Sequence, residues 1–136
     1  MEQQKQHAGP AVLVVDDEPW LRMALSDAFT DEGYDVSEAA NAAEALAILQ
    51  AQRDIGVVIT DIQMPGSMDG LRLARYIRDA YPPIALIVAS GAVVPQSSEL
   101  PDDAIFLSKP INVPLLLERI AGIITAQRLS PGQGPK

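Results

Sequence analysis

Five side chains in this sequence are of types that could do chemistry together: Asp16, Asp17, Asp61, Ser90 and Lys109. Each follows closely on a short apolar run. Carboxylates crowded in one place repel one another, and their pKa values rise unless a cation neutralises them. An all-oxygen donor set without His or Cys suits a hard cation. Mg²⁺ fits best because it keeps waters and shares phosphate oxygens, and Mn²⁺ is an acceptable substitute. A divalent ion beside Lys109 would make a strongly positive pocket. Such a pocket stabilises the equatorial oxygens of a transferring phosphoryl group. Asp61 can then be the nucleophile, since carboxylates form phosphoryl intermediates. Ser90 can donate a hydrogen bond to the new phosphate, and Gly91 leaves the site open to a donor.

The elements that must bring these residues together alternate between short apolar runs and segments of helical period. Strands are expected at Ala11–Val15, Tyr34–Ala39, Gly56–Thr60, Ile84–Ala89 and Ala104–Leu107. Between the first two, a helix over Glu18–Glu32 places Leu21, Leu25, Ala28 and Phe29 on one face and stops at Gly33. Asn41 caps a second helix, with Glu44 as its capping-box partner and Ala42, Ala45, Leu46 and Leu49 turned inward. A loop over Asp61–Met68 leads to a third helix, capped by Asp69 and running to about Ala80. The last helix begins near Val113 and buries Leu116, Ile120, Ile123 and Ile124. The stretch Ala92–Asp103 carries Pro95 and Pro101 and predicts irregular turns rather than a long helix. Alternating strands and helices imply a doubly wound α/β fold with a parallel sheet covered on both faces. Ligands bind such sheets outside the carboxyl ends of the strands, and that is where the five residues would stand.

Composition narrows the function. A chain of 136 residues with 48% hydrophobic and 21% charged residues suits one soluble domain. Disordered tails are expected at 1–9 and 129–136, around a domain at 10–128. No apolar run reaches the length of a membrane span, and the polar N-terminus does not resemble a signal peptide, so a cytoplasmic location is expected. The lack of Cys removes thiolate nucleophiles, disulfides and Cys-ligated metals. The single His, His7, stands in the N-terminal stretch, which argues against a Ser-His-Asp triad or a His-based zinc site. A net charge of −8 repels phosphate backbones and argues against direct nucleic-acid binding.

Each residue has a plainer role when taken alone. Asp16 and Asp17 could form a solvated turn, Asp61 could cap one, and Ser90 could be a turn residue. It is their joint occurrence that favours function. Glu18 reads as a first-turn residue favoured by the helix dipole. Trp20 reads as a packing residue, and Arg72, Arg75 and Arg78 as a solvated helix face.

Four segments carry a resemblance: Val12-Leu13-Val14-Val15-Asp16-Asp17-Glu18-Pro19, Val57-Val58-Ile59-Thr60-Asp61-Ile62-Gln63-Met64-Pro65-Gly66, Val88-Ala89-Ser90-Gly91 and Leu107-Ser108-Lys109-Pro110. Together they resemble the receiver domains of bacterial two-component response regulators, over roughly residues 10–128. The resemblance implies a flavodoxin-like five-stranded sheet of order 2-1-3-4-5. It implies phosphorylation at Asp61. It implies Mg²⁺ held by Asp17 directly, by Asp16 mainly through water, by Asp61 and by the main-chain carbonyl of Gln63. Ser90 and Lys109 would contact the phosphoryl group, and the Lys109–Pro110 bond would be cis. The donor would be a phosphohistidine on a sensor histidine kinase or a histidine phosphotransfer protein.

Three departures stand out. Phe106 occupies the position of the switch aromatic and has no hydroxyl, so a switch there, with Ser90, would work by packing. Ser67 lengthens the loop after Met64-Pro65-Gly66. The short connection between Ser90 and Lys109 leaves a short, irregular fourth helix, as in stand-alone receivers, and puts the common dimerisation route in doubt. A monomer or weak homodimer that signals through a protein partner, or acts as a relay or phosphate sink, is expected. It would be no enzyme beyond its own phosphorylation and dephosphorylation. Ala92 cannot hydrogen-bond a hydrolytic water, which predicts a long-lived phosphorylated form. The alternatives are a phosphorylation-independent, receiver-like binding module and an aspartyl-nucleophile phosphatase. The acid pair and Lys109 speak against the first. The second would have its nucleophile at the end of the first strand, with another Asp two residues on, where this chain has Glu18.

Overall fold

The computed structural model describes residues 10–129 apart from Pro65, Ser67, Ala92 and Val93. The two expected tails, the extra loop residue Ser67 and the water-site residue Ala92 lie outside the described residues, Leu129 excepted. That residue closes the last helix.

Five strands form one parallel sheet in the order β2-β1-β3-β4-β5: β1 (Ala11–Val15), β2 (Asp35–Ala39), β3 (Ile55–Asp61), β4 (Ala85–Ser90) and β5 (Ile105–Ser108). Central strands of such a sheet face apolar layers on both sides, which is why they read as unbroken apolar runs. Every residue of β1 is buried, as are all of β3 but Gly56 and all of β4 but Ala85. Successive side chains alternate between faces, and two cores result. Leu13, Val15, Val58 and Leu86 meet Leu49, Leu73 and Ile77 from α2 (Ala42–Ala51) and α3 (Gly70–Ala80). Val12, Val14, Val57 and Ile87 meet Leu25 and Phe29 of α1 (Pro19–Asp31) and Leu116, Ile120 and Ile124 of α4 (Val113–Leu129). Ile123 is half-buried at the edge of this second core.

Local chemistry sets the helix ends. The Asn41 side chain accepts from Glu44 N at 2.9 Å, but the Glu44 carboxylate reaches back to Ala40 N at 2.8 Å, one residue short of a regular capping box. Asp69 accepts from Arg72 N at 2.9 Å and starts α3. Gly33 ends α1 with a φ of 94°.

The described residues of the β4–β5 connection include a short 3₁₀ turn, Ser97–Glu99, in line with the irregular turns expected there. Of the α3 arginines read as a solvated face, Arg72 and Arg75 are exposed, as expected, and Arg78 is half-buried, but two of the three also tie loops to the helix. Arg75 donates twice to Glu99 O, at 3.2 and 2.9 Å, and Arg78 donates to the carbonyls of Asp102, Pro82 and Ile84 at 2.8–2.9 Å. Trp20 also differs from expectation: it is 69% exposed, on the solvent side of α1. Among the described residues, no helix is long and apolar enough to cross a membrane.

Candidate functional site

The carboxyl ends of β1, β3, β4 and β5 deliver the site. Asp16 and Asp17 follow β1 directly, Asp61 ends β3, Ser90 ends β4 and Lys109 follows β5. The register pairs Asp61 with Ala89 and Ser90 with Ser108. Main-chain bonds tie the rim together: Ile62 N donates to Ala89 O and Lys109 N to Ser90 O, both at 3.0 Å.

Carboxylate oxygens of Asp16, Asp17 and Asp61 lie within 4.8 Å of one another. Asp16 and Asp61 are buried and Asp17 is exposed, so the cluster has a dry floor and an open side. Lys109 Nζ lies 3.2 Å from Asp16 Oδ2 and 3.4 Å from Asp61 Oδ2. It also lies 3.7 Å from Glu18 Oε1. Burial pushes the Asp61 carboxyl above its ordinary value of 3.8. The Lys109 charge pulls it back down, the Asp16 charge adds to the rise, and hydrogen bonds from Lys109 and the Gln63 main chain lower it again. For Lys109, burial acts to lower the pKa, but Asp16 and Asp61 together outweigh it and hold the ammonium above 10.5. The pocket therefore keeps a firm positive charge against a carboxylate that pays for its ionisation. An oxygen-only cluster of this kind suits a hard divalent cation.

The main chain at Asp61 is tightly constrained. The Thr60 hydroxyl donates to Asp61 O at 3.0 Å, and Gly70 N donates to Ile62 O at 2.8 Å. A Cβ on Gly70 would stand 1.8 Å from Asp61 O and 2.9 Å from Ile62 Cα. Glycine is required there because the start of α3 presses against the backbone of the nucleophile candidate. Gly91 differs: a Cβ there would make an ordinary 3.6 Å contact with the Lys109 stem.

The structure thus brings Asp16, Asp17, Asp61 and Lys109 together, with Ser90 at the end of β4 on the same rim. Gln63, exposed, contributes its N–H to Asp61. Ser90 is 2% exposed. Phe106 is half-buried, packs on the α2–α3 core and pairs in register with Val88. The Lys109–Pro110 bond is cis. Glu18 is the N-cap of α1 rather than a first-turn residue, and its side chain turns to Lys109. Sequence reasoning missed Gly70 and Thr60. The Asp69-Gly70 pair was a visible cue for the first of these; the second carries no local signal.

Sheet order and rim chemistry define a doubly wound α/β domain with an acid–lysine site at its switch region. Residues 12–121 match the response regulator receiver domain family, and the chain belongs to that family. The chain is 38% identical over 114 residues to the C4-dicarboxylate transport transcriptional regulatory protein DctD of Rhizobium meliloti, covering 82% of this chain and 24% of that protein. It is 37% identical over 120 residues to the sensor kinase CckA of Brucella abortus, covering 85% of this chain and 13% of that protein. The chain thus spans a quarter or less of the length of these relatives. Among solved structures, a response regulator receiver protein from Sinorhizobium medicae superposes with a TM-score of 0.81 at 27% identity, over 90% of this chain and 99% of that one. The receiver domain of the hybrid histidine kinase CckA gives 0.72 at 30% identity, over 84% and 98%.

Proposed function

We propose that this chain is a Mg²⁺-dependent phosphoacceptor that takes a phosphoryl group onto Asp61 from a phosphohistidine of a sensor kinase or phosphotransfer protein. The observation that carries this is the meeting of three carboxylates and one lysine, from the ends of three strands, within a few ångströms. A carboxylate oxygen of Asp61 attacks phosphorus and the imidazole leaves, so one P–N bond is exchanged for one P–O bond. Lys109, held protonated by Asp16 and Asp61, supplies positive charge where the phosphoryl oxygens gather negative charge. Ser90, at the end of β4, supplies a hydroxyl donor. Asp16, Asp17, Asp61 and the Gln63 carbonyl would hold the ion, which when bound neutralises the charge of the incoming group.

The chain would act on no substrate but its own Asp61. Phosphorylation would bias an existing equilibrium between two packings, with Phe106 and Ser90 as the moving parts. Output would pass to a protein partner in the cytoplasm, and the acidic surface makes nucleic acid a poor partner.

Intact mass after incubation with acetyl phosphate tests the reading. A gain of one phosphoryl group is expected with Mg²⁺ and not after its chelation, and Asp61→Asn should show none. Labelling of Asp61→Asn at the same level would refute the assignment. Sustained turnover of a generic phosphate ester would point to a phosphatase instead.

A further inference from the structure

Arg22 plays no part in the chemistry above, yet it is the cation that reaches the acid pair from below. It stands in the first turns of α1, where its N–H donates to Glu18 O at 3.0 Å. Its Nη1 donates to the main-chain carbonyl of Asp16 at 2.6 Å, and its Nε donates to Glu38 Oε1 of β2 at 3.1 Å. Its side chain is 18% exposed; the bond to Asp16 is partly buried and shielded from water, whereas Glu38, 37% exposed, holds the outer, solvent-facing end of the fork. One planar fork thus joins the acid pair to the edge strand of the sheet.

Asp16 is held at all four of its polar atoms. Its N donates to Ala39 O at 3.0 Å, Oδ1 accepts from Glu18 N at 2.9 Å, and Oδ2 meets Lys109 Nζ at 3.2 Å. Those three bonds fix the residue's entry and its side chain. The fourth, from Arg22, falls on the carbonyl of the Asp16–Asp17 peptide. A peptide group is rigid and planar, so fixing that carbonyl fixes the direction in which the chain enters Asp17. Asp17 is the exposed member of the carboxylate cluster, so its place depends most on its backbone.

We infer that Arg22 is a positioning residue for the divalent-cation site: its guanidinium sets the plane of the Asp16–Asp17 peptide against Glu38, and with it the place of the Asp17 carboxylate. This rests on the reading of the cluster as a Mg²⁺ site. Charge alone makes the opposite prediction. A guanidinium near a cation site repels the cation, so deleting it should tighten metal binding. Positioning requires that deleting it loosen binding.

The test is calorimetric titration of the full chain with MgCl₂ alone, on wild type, Arg22→Met, Arg22→Lys and Glu38→Gln. Chemical denaturation of the metal-free samples gives the folded fraction. Met keeps most of the apolar stem and loses the fork, so Arg22→Met should bind about tenfold more weakly, the usual effect of removing a group that orients a ligand. Lys can reach the carbonyl but cannot span both acceptors in one plane, so its affinity should fall between the two. Glu38→Gln keeps a neutral acceptor and should stay near wild type. Affinity measured on folded protein separates this from a purely structural role, which would lower the denaturation midpoint and leave affinity unmoved. Equal or tighter binding by Arg22→Met overturns the inference. Should Arg22→Met not fold, wild-type affinity in Arg22→Lys overturns it. Failure of wild type itself to bind Mg²⁺ overturns the reading of the site, and the inference with it.

Discussion

Asp61 is buried against two opposing influences, the Asp16 carboxylate and the Lys109 ammonium, and burial prevails. A carboxyl whose folded pKa is raised favours folding in its protonated form. That contribution is fully present below the ordinary value of 3.8 and is lost as pH rises through the folded value. Asn imitates the protonated group at every pH. Without metal, Asp61→Asn should therefore match wild type in acid and become the more stable protein as pH rises toward neutrality. Lys109 stays paired with Asp16 and Glu18 in the variant, so no buried charge is orphaned. Urea denaturation of both proteins across that pH range, in chelator, measures the gap. A gap that closes with rising pH would contradict the assignment of burial as the dominant influence. Gly70 belongs to the same scale, because its missing Cβ is what lets α3 sit against the Asp61 backbone.

Among the elements, the β4–β5 connection leans on donors borrowed from a helix. Among its described residues, hydrogen bonds run from Glu99 N to Gln96 O, Leu100 N to Ser97 O and Ala104 N to Pro101 O, with Gln96 N on the Glu99 carboxylate. Arg75 and Arg78 fasten it to α3 from 24 residues away. Arg78→Ala removes donors from Asp102, Pro82 and Ile84 together. Losing about 1.4 kcal/mol of local stability should speed amide exchange at Leu100 and Ala104 about tenfold, with the amides of α1 unaffected. Exchange mass spectrometry on peptides from both regions distinguishes this from global destabilisation. The same contrast explains what could be read in the sequence. β1, β3 and β4 are buried on both faces, so their apolar runs announced them, and Asp16, Asp61, Ser90 and Lys109 were found because each ends or follows such a run. The irregular turns of the connection were legible from its prolines, but its anchoring to α3 was not, since guanidinium-to-carbonyl bonds across 24 residues leave no periodicity. Arg22 escaped for the same reason: its partners are a carbonyl and a strand 16 residues on. Trp20 was misread because residue type alone does not say which side of an amphipathic helix faces water.

The whole molecule carries a net charge of −8 and concentrates three carboxylates at one end of its sheet. Self-repulsion of that kind destabilises the compact state, and ions can relieve it in two ways. Diffuse screening acts on all surface charges and needs no geometry. A bound cation acts through the cluster alone and stabilises according to mass action. At Mg²⁺ one hundred times its dissociation constant, the folded state should become more stable by about 2.7 kcal/mol, or roughly 10 °C in the unfolding midpoint of a domain this size. NaCl at matched ionic strength should raise the midpoint much less, and equally in wild type and Asp17→Asn. Mg²⁺ should lift wild type well above that common shift and leave Asp17→Asn on it. Thermal scans in the two salts therefore separate the site from the surface. If Asp17→Asn follows wild type in Mg²⁺, the ion is acting on the acidic surface as a whole, and the clustering of carboxylates at the rim is not what captures it.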